Sequence, residues 1–507
     1  MTLQFSLDGR SVSVEDTDSS LLEVLRDRLG ARSPKDGCSP QGQCGCCTVL
    51  VDGAPRVACV TPARRVAGRT VTTVDGLPDE ERGAWADAFC ATGASQCGFC
   101  TPGIIMRLSA LRAKGSSDVN GALLAHLCRC TGWRTIGEAF STYGVDCGPR
   151  DFDAASRRAT IEGGVPQRVA PKVALGGGGF ADDTAPLDAL VAVPDGRGAW
   201  AVGETLAEAR RAAGKVRGRR TTAALSHPLD VPDGDWDVTL RTTWVEPAYL
   251  ELDASWCAPG GDPATPLANG GAFGGKVASP APAAARRLAD QHGRPVRVVL
   301  SREDAVRRGP KRPPVAAGVR ADDGSGVVRV ARTPGVADAI RSFAPTLDVQ
   351  EVEVAGPPTS TALRAAGWAE AHVLLSGAAG RVGPVRSPSG AVAEAEVTDD
   401  LVRVRVACGD PLDEIVLRSY CIGATHMALG WVWSEGIAVD EDGVAHDLTI
   451  RSFDILRARD MPPVDVEIER SGGEPVNGSD AVFAAVAAAA WIGEGCAQDW
   501  PTRRGGR

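Results

Sequence analysis

The sequence has no run approaching the about 18 uninterrupted apolar residues from which a membrane-spanning helix is read, so no span is expected. It opens Met1-Thr2-Leu3-Gln4, without the charged start and apolar stretch of a secretory signal, and a cytoplasmic location is the expectation. No dense Lys/Arg run with interleaved aromatics occurs, which argues against a nucleic-acid partner. Internal repeats and coiled-coil heptads are also lacking. The net charge of −9 (Lys+Arg 55 against Asp+Glu 64) comes from beyond residue 150, since acid and base balance before it. In a reducing compartment a disulfide framework is not expected, so the 15 cysteines call for another explanation.

What is present is clustered cysteine. Cys38, Cys44, Cys47 and Cys59 form one set, and Cys97, Cys100, Cys128 and Cys130 a second. Short spacings of this kind wrap backbone around four thiolates and suit a 2Fe–2S cluster; two sets suit transfer of single electrons. Plant-type ferredoxins have four residues between the first two cysteines and two between the next pair, whereas five separate Cys38 from Cys44. Gly37, Gly42 and Gly45 allow a tight loop. Zinc is the structural alternative for four cysteines. Cys46, Cys90, Cys147, Cys257, Cys408, Cys421 and Cys496 read as ordinary small side chains.

Residues 3–7 and 11–15 alternate around Asp8-Gly9, a hairpin signal. A helix is expected from Ser19, capped by Asp18, stopped by Gly30 and burying Leu21, Leu22, Leu25 and Leu29. With strands at 48–51 and 69–74, residues 1–76 read as a β-grasp domain. Residues 77–146 carry helical stretches at about 80–91, 102–113, 118–127 and 134–144, with the second cysteine set in the breaks. Helix N-termini favour an anionic centre. Residues 147–185 read as a polar linker ending in Gly176–Gly179, and 186–507 as α+β, with a second joint at 333–363 and a buried helix from Asp480 to about Trp491.

The run Gln96-Cys97-Gly98-Phe99-Cys100-Thr101-Pro102-Gly103, followed by Cys128-Arg129-Cys130-Thr131-Gly132-Trp133, resembles the iron–sulfur component of the molybdenum hydroxylases: xanthine dehydrogenase, aldehyde oxidoreductase and carbon monoxide dehydrogenase. The resemblance covers 1–145. It implies an α+β protein with a plant-ferredoxin-like domain and a four-helix domain, the eight cysteines holding two 2Fe–2S clusters. It also implies that Gln96 and Cys130 lie against the pterin of a molybdenum cofactor.

Farther on, Val245-Glu246-Pro247, Gly270-Gly271-Ala272-Phe273-Gly274-Gly275-Lys276, Ser301-Arg302-Glu303-Asp304 and Gly473-Glu474-Pro475 follow the order of the family's molybdenum-binding subunit in abbreviated form. By that resemblance Gly271, Phe273 and Gly274 approach molybdopterin, and Glu474 is the base that activates a metal-bound hydroxyl. Arg364 echoes a substrate-binding arginine, although a surface arginine is its plainer reading. The segment that supplies a glutamine beside molybdenum has no room between Pro247 and Gly270, and Val277 replaces a polar residue. Two readings stay open: a condensed hydroxylase of a small-molecule substrate, or an electron carrier whose second half is a docking scaffold. No flavin domain is visible, so the electron acceptor is expected on another protein; a flavoprotein, a molybdenum-binding subunit or both are the expected partners.

Overall fold

The structure, a computed structural model, describes residues 2–15, 18–214, 221–265, 271–276 and 278–504. Asp8 and Gly9 both take positive φ (50° and 79°), and the turn they make pairs strand β1 (Thr2–Leu7) with β2 (Arg10–Glu15), Leu7 opposite Arg10. The helical segment that follows is one α turn, Leu21–Glu23, running into a π turn, Val24–Arg28, and Gly30 ends it at φ +70°. Its cap is Ser20, whose hydroxyl accepts from the Glu23 N–H at 3.2 Å, not Asp18 as expected; Asp18 pairs with Arg64 in solvent.

A second turn, Asp52-Gly53, joins β3 (Thr48–Val51) to β4 (Ala54–Val57). With β5 (Thr70–Thr72) the strands order as β2-β1-β5-β3-β4, β1 and β5 parallel. Helices then run over Asp79–Thr92, Thr101–Ala113, Val119–Ala122 and Arg134–Ser141.

Residues 147–185 do not form the exposed polar linker expected of them. Phe152–Gly163 is a helix whose Arg158 and Glu162 are buried inside the protein, while Asp153 and Arg157 face solvent. Arg158 is fully buried, pairs with Glu162 at 3.0 Å and donates to the Pro411 and Val476 carbonyls at 2.9 Å. Glu162 in turn accepts from the Gly478 and Ser479 N–H groups at 3.1 and 2.9 Å. The stretch therefore caps the C-terminal helix, Ser479–Gly493, which is buried almost throughout.

Three four-stranded sheets build the rest. Strands β6 (Leu190–Pro194), β7 (Trp200–Gly203), β9 (Ala254–Cys257) and β10 (Val296–Val299) order as β7-β6-β10-β9. Strands β8 (Val238–Arg241), β11 (Val315–Val319), β12 (Gly326–Ala331) and β13 (Leu347–Val352) order as β13-β12-β11-β8. Strands β14 (Val385–Arg386), β15 (Val392–Val397), β16 (Val402–Ala407) and β17 (Val464–Glu469) run in sequence. The expected joint at 333–363 instead holds a helix, Val336–Phe343, and β13 itself. A 20-residue helix, Glu414–Trp433, packs the second half onto the first. Among the described residues no helix is long and apolar enough to cross a membrane.

Candidate functional site

The β3–β4 hairpin places Cys47, just before β3, against Cys59, just after β4. The Ala58 N–H donates to the Cys47 carbonyl at 3.2 Å and the Cys59 N–H reaches the Cys47 sulfur at 3.5 Å. Cys38 touches Cys44 and Cys59, and with the N–H groups of Gln43 and Gln41 these contacts hold its thiol well below its ordinary range. All four thiols of the first set thus meet in one buried loop. Cys46 lies beside Cys44 in the same loop, with its sulfur against Gly37.

In the second set Cys100 caps the Thr101–Ala113 helix, and Cys128 and Cys130 lie just before the Arg134–Ser141 helix. Cys97 and Cys130 have their sulfurs 3.7 Å apart. Cys128 touches Cys100 and Cys130 and takes a 3.1 Å contact from the Thr131 hydroxyl; together these hold its thiol well below its ordinary range. Cysteines at the N-terminal end of a helix see its partial positive charge, which suits an anionic centre.

The two loops are bonded to each other. The Leu127 N–H, one residue before Cys128, donates to the Cys44 carbonyl at 3.0 Å. His126 fills the space beside Gly45, whose φ is +72° and whose added Cβ would lie 2.5 Å from the imidazole. Burial pushes His126 down to about 3, so it is neutral across the physiological range.

The second half covers both sets. The Gln41 amide donates to Glu303 and the Leu448 carbonyl at 3.1 and 3.0 Å, and the Ile450 and Arg451 N–H groups donate back to Gln41 and Gln43, each at 3.2 Å. On the second set the Glu414–Trp433 helix makes the contact. Gln96 donates to the Cys130 carbonyl at 2.9 Å and to the Ser419 hydroxyl at 3.0 Å. A Cβ at Gly423 would lie 1.9 Å from the Cys130 carbonyl oxygen, so only glycine permits this approach.

That packing decides the fit of a molybdenum cofactor. The face of Gln96 and Cys130 that the resemblance assigns to a pterin is covered by helix. Gly271 does reach the second set, lying beside Arg129 and Cys130, and Phe273 lines the same cavity as Arg129. The cavity they line holds ≈ 50 Å³, against the about 300–1,000 Å³ of sites that enclose a drug-sized ligand. Gly274 packs on the Ala362 carbonyl and lies outside that lining. Gly270 and Val277 lie outside the described residues. As folded, these residues do not hold the group, and no step is routed through it.

Glu474 is exposed, on the loop before the C-terminal helix, and is not part of the cavity around Phe273. It lacks the dry surroundings that a general base beside a metal was expected to have. Glu474→Gln is therefore expected to leave the cluster spectra unchanged and to move stability by no more than about 0.5 kcal/mol, as surface substitutions do. Optical titration and chemical denaturation check both.

The buried ion pairs that the sequence did not announce are at the cavity. Arg129 makes a bidentate pair with Glu435 at 2.5 and 2.8 Å. Lys311 pairs with Glu246 at 2.8 Å and Arg312 with Glu370 at 2.7 Å. Arg364, read as a surface residue, is buried, stacks 4.0 Å over the Phe273 ring and pairs with Asp480 at 3.1 Å. Arg129 lies between two cysteines of the second set and Glu246 in the Val245-Glu246-Pro247 segment, but no sequence signal marks the pairing of either.

Known proteins share parts of this arrangement. Residues 73–141 match the family described as a 2Fe–2S binding domain. The nicotinate dehydrogenase small FeS subunit of Eubacterium barkeri is 35% identical over 145 residues, 27% of this chain and 92% of that protein. Xanthine dehydrogenase of Drosophila pseudoobscura is 37% identical over 175 residues, 29% of this chain but only 12% of the insect protein. The whole fold is shared with aldehyde oxidoreductase of Desulfovibrio desulfuricans, at a TM-score of 0.72, 14% identity and 99% coverage of both chains.

Proposed function

The chain belongs to the molybdenum hydroxylase family through its iron–sulfur portion, and on that premise we propose that it is an electron carrier whose second half serves as a protein scaffold for two 2Fe–2S clusters. The first cluster rests on Cys38, Cys44, Cys47 and Cys59, the second on Cys97, Cys100, Cys128 and Cys130. The first lies in a β-grasp domain, the second in a helical one. When bound, the two clusters would relay single electrons to an acceptor on another protein, for which a flavoprotein is our proposal. The donor is a molybdenum-binding partner that acts on a small molecule.

The observation that carries this reading over a self-contained hydroxylase is the seat of Glu414–Trp433 on Gln96 and Cys130. What this chain's own residues do is then limited and physical. Thiolates and backbone N–H groups would hold the clusters, the Leu127–Cys44 hydrogen bond joins the two loops, and the covering segments exclude water. The bound clusters supply one-electron chemistry.

Metal and sulfide analysis of full-length protein from its native host tests the proposal. The expected content is about four irons and four acid-labile sulfides per chain, for two 2Fe–2S centres, with no molybdenum. One molybdenum per chain with a pterin would sink the scaffold reading, and zinc without sulfide would remove electron transfer altogether.

A further inference from the structure

Two arginines of the second half address the first cysteine loop at equivalent points. Arg302 donates to the Gly37 carbonyl, immediately before Cys38, at 2.9 Å. Arg451 donates to the Gln43 carbonyl, immediately before Cys44, at 3.0 Å, and to the Leu124 carbonyl at 2.8 Å. Arg302 is 0% exposed, and its Nε and Nη1 atoms find no hydrogen-bond acceptor. Among the described residues neither guanidinium has a carboxylate within ion-pair distance. A guanidinium stays charged in a protein, and a buried charge without a counter-charge is costly.

The acids around that loop do not cancel the pair. Asp36 lies 3.7 Å from Arg210, and Glu303 accepts from the Gln41 amide. At the second set the balance is different, because Arg129 is neutralised in place by Glu435.

A 2Fe–2S centre with four thiolates is an anion and gains one further negative charge on reduction, so an uncompensated cation nearby favours its reduced form. We infer that Arg302 and Arg451 hold the first cluster at a higher reduction potential than the second. One electron on the pair then rests on the first cluster, which is reduced by one electron as the second is oxidised by one. The inference rests on the two-cluster reading above. It gives the second half a positive role, that of setting the direction of electron flow.

The test is a potentiometric titration of the full chain, followed by the EPR signals of the two reduced clusters. Arg451→Gln removes the charge from a side chain at the surface. It should lower the midpoint of the first-cluster signal and leave the other in place. Arg451→Lys, which keeps the charge, should hold the midpoint near its original value. The first-cluster signal is the one lost in Cys59→Ser. An unchanged midpoint, equal movement of both signals, or an equal shift in Arg451→Lys would overturn the inference. Absence of two signals from the unsubstituted protein would instead overturn the two-cluster reading.

Discussion

Gly423→Ala should loosen the second half from the second cysteine set and disturb that cluster alone. The added methyl would lie 1.9 Å from the Cys130 carbonyl oxygen, a contact that no rotamer change relieves because both partners are held by backbone. The Glu414–Trp433 helix cannot simply retreat: it is buried along most of its length and packs against Ser479–Gly493. Overpacking of this kind costs about 1–3 kcal/mol and sometimes more. The strain falls on Cys130 and on Gln96, whose amide bridges the Cys130 carbonyl and Ser419. The second-cluster EPR signal should broaden or vanish, while the first keeps its shape. Gly137→Ala is the control. That glycine sits in the Arg134–Ser141 helix with open space where a Cβ would go, and alanine there should be neutral or stabilising by up to about 1 kcal/mol. A Gly423→Ala protein with wild-type stability and both signals intact would show that the helix does not bear on the cluster.

The parts of this protein legible in its sequence are those fixed by neighbours along the chain. Cysteines on either side of a hairpin, or at the start of a helix, are brought together by local geometry, so the two sets could be written down from spacing alone. The same is true of the Asp8-Gly9 and Asp52-Gly53 turns and of Gly30, where positive φ is required. The misread segments are those whose meaning depends on distant partners. Arg158 and Glu162 look like solvent-facing residues of a linker. Their partners, the Pro411 and Val476 carbonyls and the start of the 479–493 helix, lie some 250 residues or more away. Arg364 looks exposed until Phe273 and Asp480 are placed around it. Glu474 sits in a Gly-Glu-Pro that matches a catalytic segment in order. Order says nothing about which surface closes over it, and here none does. The seat of Gly423 on Cys130 had no local signal, since a glycine inside an apolar helix reads equally well as packing against any neighbour.

The largest effect is expected at Glu435. Its carboxylate is 2% exposed and meets the Arg129 guanidinium through two hydrogen bonds, with the Arg129 Nε on the Pro247 carbonyl at 3.0 Å. Burial pushes the Glu435 carboxyl up and the Arg129 charge pulls it back, so the group depends on its partner for its ionised state. Glu435→Ala leaves Arg129 charged and unpaired in the interior. Breaking a buried pair from one side costs about 3–5 kcal/mol, a large share of the stability of a typical domain. A lower denaturation midpoint by chemical unfolding should register it. The electrostatic consequence separates this account from simple destabilisation. Arg129 lies between Cys128 and Cys130, so freeing its charge should raise the potential of the second cluster and narrow its gap from the first. Glu435→Gln, which keeps a hydrogen-bond acceptor but not the charge, should raise that potential in the same direction with a smaller loss of stability. Loss of stability with both midpoints unmoved would show that the Arg129–Glu435 pair is structural only, and that the unequal charge balance around the two clusters does not set their order.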